Sequence, residues 1–329
     1  MHTIDLGKYD YRTDLIIEKI DNLKDSVHYE ENKILVDNIK NLNNQYITIS
    51  FDDITDKNNY KNVLDIFVKE LKKILAGYLK ENSKILVIGL GNSRSTPDSL
   101  GPLAVDNVLV TRHLFDLGDV ESGYKNVCSF KPQVTGVTGI ETSEVIIGLV
   151  ERLNIDLVIA IDALASSSIT RVNRTIQITD SGIAPGSGVG NNRQELSLKT
   201  LGIPVIAIGV PTIVDAATIV TDTIKYLLKQ LSYKVENVDN AKAKLINEKT
   251  YDYSKQDVIF NDKDKERVLG MLGGLNDNEL KTLFLEVLTP VNYNLMVTPK
   301  EIDFMMEKMG LLIGNGINKS LHSSFNTTK

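Results

Sequence analysis

Two aspartates carry the strongest chemical signal in the chain. Asp98 lies in KILVIGLGNSRSTPDSLGP (Lys84 to Pro102) and Asp162 in DLVIAIDALASSS (Asp156 to Ser168). Each follows an apolar run of strand character, and neither has a histidine or cysteine nearby in sequence. In a parallel sheet both would emerge at the carboxyl edge, where open α/β sheets place their active sites. Two carboxylates held close together do not both ionise cheaply near neutral pH, so one keeps its proton while the other can activate water. The ionised acid could take a proton from water attacking a peptide carbonyl, and its partner could polarise the oxygen or serve the leaving amine. The alternative is capping, by Asp98 of a helix starting near Leu100 and by Asp162 of a turn after its strand. Both stay open from spacing alone, although Thr96 already supplies a capping hydroxyl and an acid ending the apolar run LVIAI calls for a partner.

Other chemistries find less support. Cys128 has no evident partner among His2, His28, His113 and His322, so a buried thiol is expected. Ser187 in PGSGVG lacks the nucleophile-elbow order, because Pro185 and Val189 occupy the outer glycine positions. No two histidines have zinc-peptidase spacing; a metal held by Asp98, Asp162 and the distant His113 is the remaining metallo arrangement. Gly89 and Gly91 follow a strand, but Arg94 stands at the third glycine of a dinucleotide fingerprint. Gly186, Gly188 and Gly190 could form an anion-cradling nest with Arg193 beside it, or simply a tight loop. No cofactor is called for.

The elements that would position the acids follow from periodicity. Continuous β-branched runs predict core strands at Ile85–Leu90, Leu157–Ile161 and Val205–Val210, with a fourth at Arg174–Thr179. Helices are predicted at Val63–Leu79, Leu100–Leu114, Ser143–Leu153 and Asp215–Leu231, and right-handed crossovers would bring Asp98 and Asp162 into one crevice. Strand and helix signals alternate from Ser83 to Ile219, which predicts an α/β fold with a mainly parallel sheet flanked by helices. Near the N-terminus a helical stretch Leu15–Leu23 precedes KILVDNI and QYITISFDD, which alternate like paired strands and predict a hairpin region. Residues 232–265 read as a polar excursion, and Thr298, Pro299 and Glu301 fit a capping box before the last helix.

Composition narrows the classes. The 329 residues are 42% hydrophobic and 24% charged, enough for a large core without disulfides. The net charge of −6 and the lack of a long basic block argue against nucleic acid as the primary ligand. One cysteine and no secretory leader pattern predict a reducing cytoplasm. The longest apolar runs stop short of the ~20 residues that span a bilayer.

The motifs YDYRTDL, GLGNSRSTPDSLGP, NVLVTRHLF, VTGVTGIETSEVI, AIDALA, RVNRTIQITDSGIAPGSGVGN, LGIPVIAIGVPTIVDA and NLMVTPKEID anchor the chain from Asp10 to about Asp303. Together they resemble the germination proteases of spore-forming bacteria, which degrade the small acid-soluble proteins coating spore DNA. The family resembles in turn the hydrogenase-maturation endopeptidases, in which the equivalent acids bind a metal. The resemblance implies an atypical aspartic endopeptidase with Asp98 and Asp162 as its catalytic acids. It implies a self-processing zymogen, with a propeptide at residues 1–14, cleavage between Asp14 and Leu15, and a single peptidase domain over 15–329. The propeptide or neighbouring loops would shield the crevice. An acid before the cut and a hydrophobic residue after it match the family's preference, with Ile16 where the family has Ala. Such an acid would want a cationic pocket, for which Arg112, Lys131 and Arg193 are candidates by motif proximity, while Ser166, Ser167 and Ser168 stand where the family often has arginine. A homotetramer in the forespore or spore core is also implied. A metallopeptidase using the same acids and a non-catalytic binding module are the rival classes.

Overall fold

The computed structural model describes residues 13–19, 26–118, 120–184, 194–239, 257, 260–288 and 295–325. The chain gathers into two compact units. The larger comprises residues 12–166, 170–213 and 298–329; the smaller comprises 1–11, 167–169 and 214–297.

After a 3-10 turn at Ile16–Glu18, the elements in chain order are β1 (Ser26–Glu31), β2 (Ile34–Asn41), β3 (Asn44–Ser50), α1 (Lys57–Leu75), β4 (Lys84–Gly89), α2 (Leu100–Val105) and α3 (Arg112–Leu117). Then follow β5 (Asn126–Phe130), α4 (Thr135–Thr138), α5 (Thr142–Leu153), β6 (Leu157–Ser166), β7 (Thr175–Thr179), α6 (Leu198–Leu201) and β8 (Val205–Asp215). The described chain closes with α7 (Ala216–Glu236), α8 (Asp262–Leu269), α9 (Asp277–Leu288), β9 (Met296–Val297) and α10 (Ile302–Leu321).

In the larger unit the strands run in the order β1-β2-β3-β7-β8-β6-β4-β5. β4 is parallel to β5 and β6, whereas β1, β2, β3, β7 and β8 pair antiparallel in succession. The α/β class and the N-terminal hairpin region hold, but the sheet is mixed rather than mainly parallel. For the first pair the reason is local: Asn32 and Lys33, with φ of 54° and 64°, form a two-residue left-handed turn that joins β1 to β2, and so tight a connection can only join antiparallel strands.

Both faces of the central sheet are covered, which explains the unbroken apolar runs. Ile85, Val87, Ile159, Ile161, Ile176 and Ile208 pack on one face with α1, α2 and α10. Leu86, Ile88, Val158 and Ala160 pack on the other with Ile146 and Val150 of α5.

Several boundaries move. The helix predicted over Leu100–Leu114 is two short ones, because Leu109 N donates to Asn318 Oδ1 (2.8 Å) and Thr111 N to the Val127 carbonyl (2.9 Å) instead of to the preceding turn. Thr298 does not cap α10: its hydroxyl donates to the Thr212 carbonyl (2.9 Å), and the helix begins at Ile302. Of the stretch Leu15–Leu23, only the turn at Ile16–Glu18 is helical among the described residues. The polar excursion begins later than 232, since α7 continues to Glu236; residues 240–256 lie outside the described residues.

In the smaller unit α7 packs against α9, with Lys225 and Asp277 paired at 2.7 Å. Asp215 caps α7 by accepting from Thr218 N at 2.6 Å, and β9 pairs with the last two residues of β8. No helix among the described residues is long and apolar enough to cross a membrane.

The turn between β4 and α2 is the tightest approach near the sheet edge. A Cβ on Gly101 would lie 2.2 Å from the Leu90 carbonyl oxygen and 2.6 Å from that of Ile161. Backbone atoms cannot yield there as a flexible side chain would. Gly101→Ala is therefore expected to lower unfolding free energy by roughly 3 kcal/mol, read as a lower denaturant midpoint at unchanged slope; a midpoint equal to wild type would contradict this packing.

Candidate active site

The last register pair between β4 and β6 is Gly89 with Ile161, yet β6 runs on to Ser166. Asp162 is thus inside a ten-residue strand and not just beyond one. It is 5% exposed, and its Oδ1 accepts from Ala163 N at 2.9 Å. A mid-strand position removes the role of capping a turn after the strand for Asp162. Alternation assigns it a face: Ile159 and Ile161 belong to the core under α1 and α10, Val158 and Ala160 to the core under α5, so Asp162 and Leu164 point to the α5 side.

Asp98 ends the 3-10 turn Thr96–Asp98 and is half-buried. Ser99, not Asp98, takes the N-cap position of α2. Three contacts fix this turn. Asn92 N donates to the Asp98 carbonyl (2.9 Å), and Thr212 Oγ1 donates to the Pro97 carbonyl (2.7 Å). Gly91, at φ 104°, brings its Cα so close that a Cβ would lie 2.1 Å from the Asp98 carbonyl oxygen and 2.9 Å from its Oδ1. The turn packs against β6, and Leu90 N donates to the Ile161 carbonyl at 2.8 Å. Asp98 thus lies in the loop after β4, and Asp162 lies one residue past the last β4–β6 register pair, within β6.

The cationic candidates separate. Lys131 follows β5 at the same edge and pairs with Asp106 at 2.6 Å. Arg112 donates to the Leu153 carbonyl (3.3 Å), at the end of α5 that leads into the amino end of β6, away from the acids. Arg193, like the glycine loop 186–190, lies outside the described residues. His113 is on the exposed helix α3, and among the described residues no group of three or more His, Cys, Asp and Glu side chains is placed to hold a metal.

The segment carrying Asp14 and Leu15 is held against β6 and β7. Asp14 N donates to the Ala165 carbonyl at 3.1 Å, and Ala165 N donates to Asp14 Oδ2 at 2.9 Å. Gln177 Nε2 donates to the Asp14 carbonyl (3.3 Å), while its Oε1 accepts from Ile16 N (2.8 Å). Leu15 has no exposed surface, a burial that contributes about 1.5–3 kcal/mol to docking. Glu18 accepts from Ser166 Oγ (2.7 Å) and from Thr13 Oγ1 and pairs with Arg171 at 3.3 Å. The Asp14 carboxylate thus accepts from a backbone N–H of β6, a contact the sequence reading does not name. Sequence reasoning passes over Gln177 and Ala165; the available signal is the one long amide alternating with Ile176 and Ile178 in a buried strand.

The family model described as germination protease matches residues 14–329. The chain belongs to the germination protease family. Germination proteases of Priestia megaterium and Bacillus thuringiensis subsp. konkukian are 41% and 43% identical to it, each alignment covering 97% of this chain and 95% of the relative. That of Oceanobacillus iheyensis is 48% identical over 84% of this chain and 78% of its own. A solved hydrogenase maturation protease, HycI from Thermococcus kodakarensis, is similar at 19% identity and a TM-score of 0.28, over 44% of this chain and 80% of its own.

Family membership makes the chain a peptidase with a role in spore germination. Cys128 is not equipped for that work. Burial pushes its thiol upward, only partly opposed by the Arg112 guanidinium, and its Sγ donates to the Ile85 carbonyl at 3.6 Å. The thiol form has little nucleophilicity. Cys128→Ala is expected to keep peptide hydrolysis within about threefold of wild type, as measured by initial rates; loss of activity on this change or on mild alkylation would reopen a thiol mechanism.

Proposed function

We propose that this germination protease is an endopeptidase in which Asp98 and Asp162 together activate water, and that it cuts small acid-soluble spore proteins. The supporting observation is the close backbone approach of Gly101 to Leu90 and Ile161, which ties the turn carrying Asp98 to the residue before Asp162. One acid is ionised and takes a proton from water as its oxygen adds to the peptide carbonyl. The other is protonated and gives its proton to the leaving amine as the carbon–nitrogen bond breaks. The two titrations belong to the pair.

The chain is made as a zymogen that cuts itself between Asp14 and Leu15, releasing residues 1–14. Support comes from the acid-then-apolar sequence at that bond and from its docking on β6, three residues along the strand from Asp162. Substrates with an acid followed by a hydrophobic residue present the same pair of side chains. The resemblance further supports a homotetramer in the forespore cytoplasm, with activation as a change of access to the crevice and no change of chemistry.

Asp98→Asn and Asp162→Asn are each expected to lower kcat on a small acid-soluble spore protein by about 10²–10⁴-fold and to stop removal of residues 1–14, with no effect of chelator on wild type. Chelator sensitivity would reassign the acids as metal ligands. Full cleavage by either variant would remove that residue from the mechanism, and equal rates for full-length and trimmed chains would refute the zymogen.

A further inference from the structure

We propose that Gln177 is a catalytic residue, the amide that holds the carbonyl oxygen of the scissile bond, and that segment Thr13–Ile16 already occupies its peptide-binding clamp. This rests on the reading of Asp14–Leu15 as a bond the enzyme cuts. The carbonyl to which Gln177 Nε2 donates, at 3.3 Å, is that of Asp14, the carbonyl of this bond. The same planar amide accepts from Ile16 N at 2.8 Å, so it grips the peptide on both sides of Leu15. These two contacts also fix the orientation of the amide, since a reversed one would set two donors and two acceptors face to face.

The rest of the clamp reads the side chains. The acid before the bond takes Ala165 N–H at 2.9 Å, its own N–H pairs with the Ala165 carbonyl, and Leu15 after the bond is wholly enclosed. The clamp lies on the catalytic side of the sheet. Ile176 and Ile178 point to the core under α1, so Gln177 points to the opposite face, the face of Asp162 and Leu164. Its register partner is Gly209, where a Cβ would lie 2.3 Å from the Leu164 side chain, so Leu164 packs directly over that position.

A structural tether could use any carbonyl of the segment. This one gains negative charge when water adds, and a buried amide donor strengthens as the charge develops. Gln177 is 6% exposed, so little water competes for its N–H. The clamp also sets a sequence rule: the second residue after the cut must carry an N–H for Gln177 Oε1, which excludes proline there.

The test uses the full-length chain with Gln177→Glu and Gln177→Met, following loss of residues 1–14 by mass and cleavage of a peptide containing Asp-Leu-Ile in trans by kcat and KM. Gln177→Glu keeps the acceptor for the Ile16 N–H and loses the donor. It is expected to lower kcat by about 10²–10³-fold at neutral pH with KM little changed, and to regain activity relative to wild type as acidification protonates the new carboxyl. Gln177→Met is expected to be slow at every pH and to raise KM. On the wild-type enzyme, an Asp-Leu-Pro peptide is expected to resist cleavage, a result independent of how the variants fold. Wild-type kcat in both variants, a change confined to KM, or normal cleavage of Asp-Leu-Pro would overturn the role of Gln177. Wild-type processing at a bond other than Asp14–Leu15 would instead overturn the reading of the cut site.

Discussion

The arrangement depends on one steric constraint, the approach of two backbones at the end of β4. Gly101 lies against the Leu90 and Ile161 carbonyls, and a Cβ on Gly89 would sit 2.3 Å from the Gly101 carbonyl oxygen. With no side chain at either position, the N-terminus of α2 can descend onto the sheet. The loop between them must then fold outward, and its 3-10 turn carries Asp98 to the same edge as Asp162. Had either glycine carried a side chain, α2 would stand off the sheet. The GLGN and DSLG segments are thus a packing device that also fixes the turn carrying Asp98.

The extended strand β6 links this device to peptide recognition. Its first half pairs with β4 and is buried on both faces, which anchors the position of Asp162. Beyond Ile161 the β4 pairing ends, and the backbone at Ala165 engages the chain's own Asp14 instead. One strand therefore provides an acid in its middle and a docking edge at its end. The distance between them is set by strand rise, about 3.3 Å per residue, and not by loop conformation. Such rigidity suits a peptidase, which must hold an extended peptide in fixed relation to its reacting groups.

The docked segment is held by forces of different kinds. Burial of Leu15 is non-directional and favours any large apolar side chain of similar volume. The backbone and Gln177 contacts are directional and ignore side-chain identity. The Asp14 carboxylate accepts from the Ala165 N–H, a charge-assisted contact that a neutral acceptor of similar shape would make less strongly. Undocking the whole segment would expose Leu15 and separate the partly buried Glu18 and Arg171 pair, a combined cost of several kcal/mol at the magnitudes typical of buried apolar groups and charged hydrogen bonds.

The α/β class, the positions of β4, β6, β7 and β8, and the placement of Asp98 and Asp162 after buried apolar runs are legible in the sequence. Each rests on a local pattern, either an apolar run buried on both faces or an acid that such a run cannot explain. Tertiary structure decided the rest. The antiparallel half of the sheet continues beyond the N-terminal strands because β3 pairs with β7 and β7 with β8, contacts between segments more than a hundred residues apart in the first case. The split of one predicted helix into α2 and α3 follows from hydrogen bonds to Asn318 and Val127, over two hundred residues away in the first case. Arg112 is drawn to Leu153 by a contact that motif proximity cannot reveal, and the Asp14 carboxylate finds a backbone N–H, which every residue but proline possesses and no sequence advertises. Side-chain pattern determines what is buried and where charge is unexplained; which backbone groups meet across the fold is set only when the chain closes on itself.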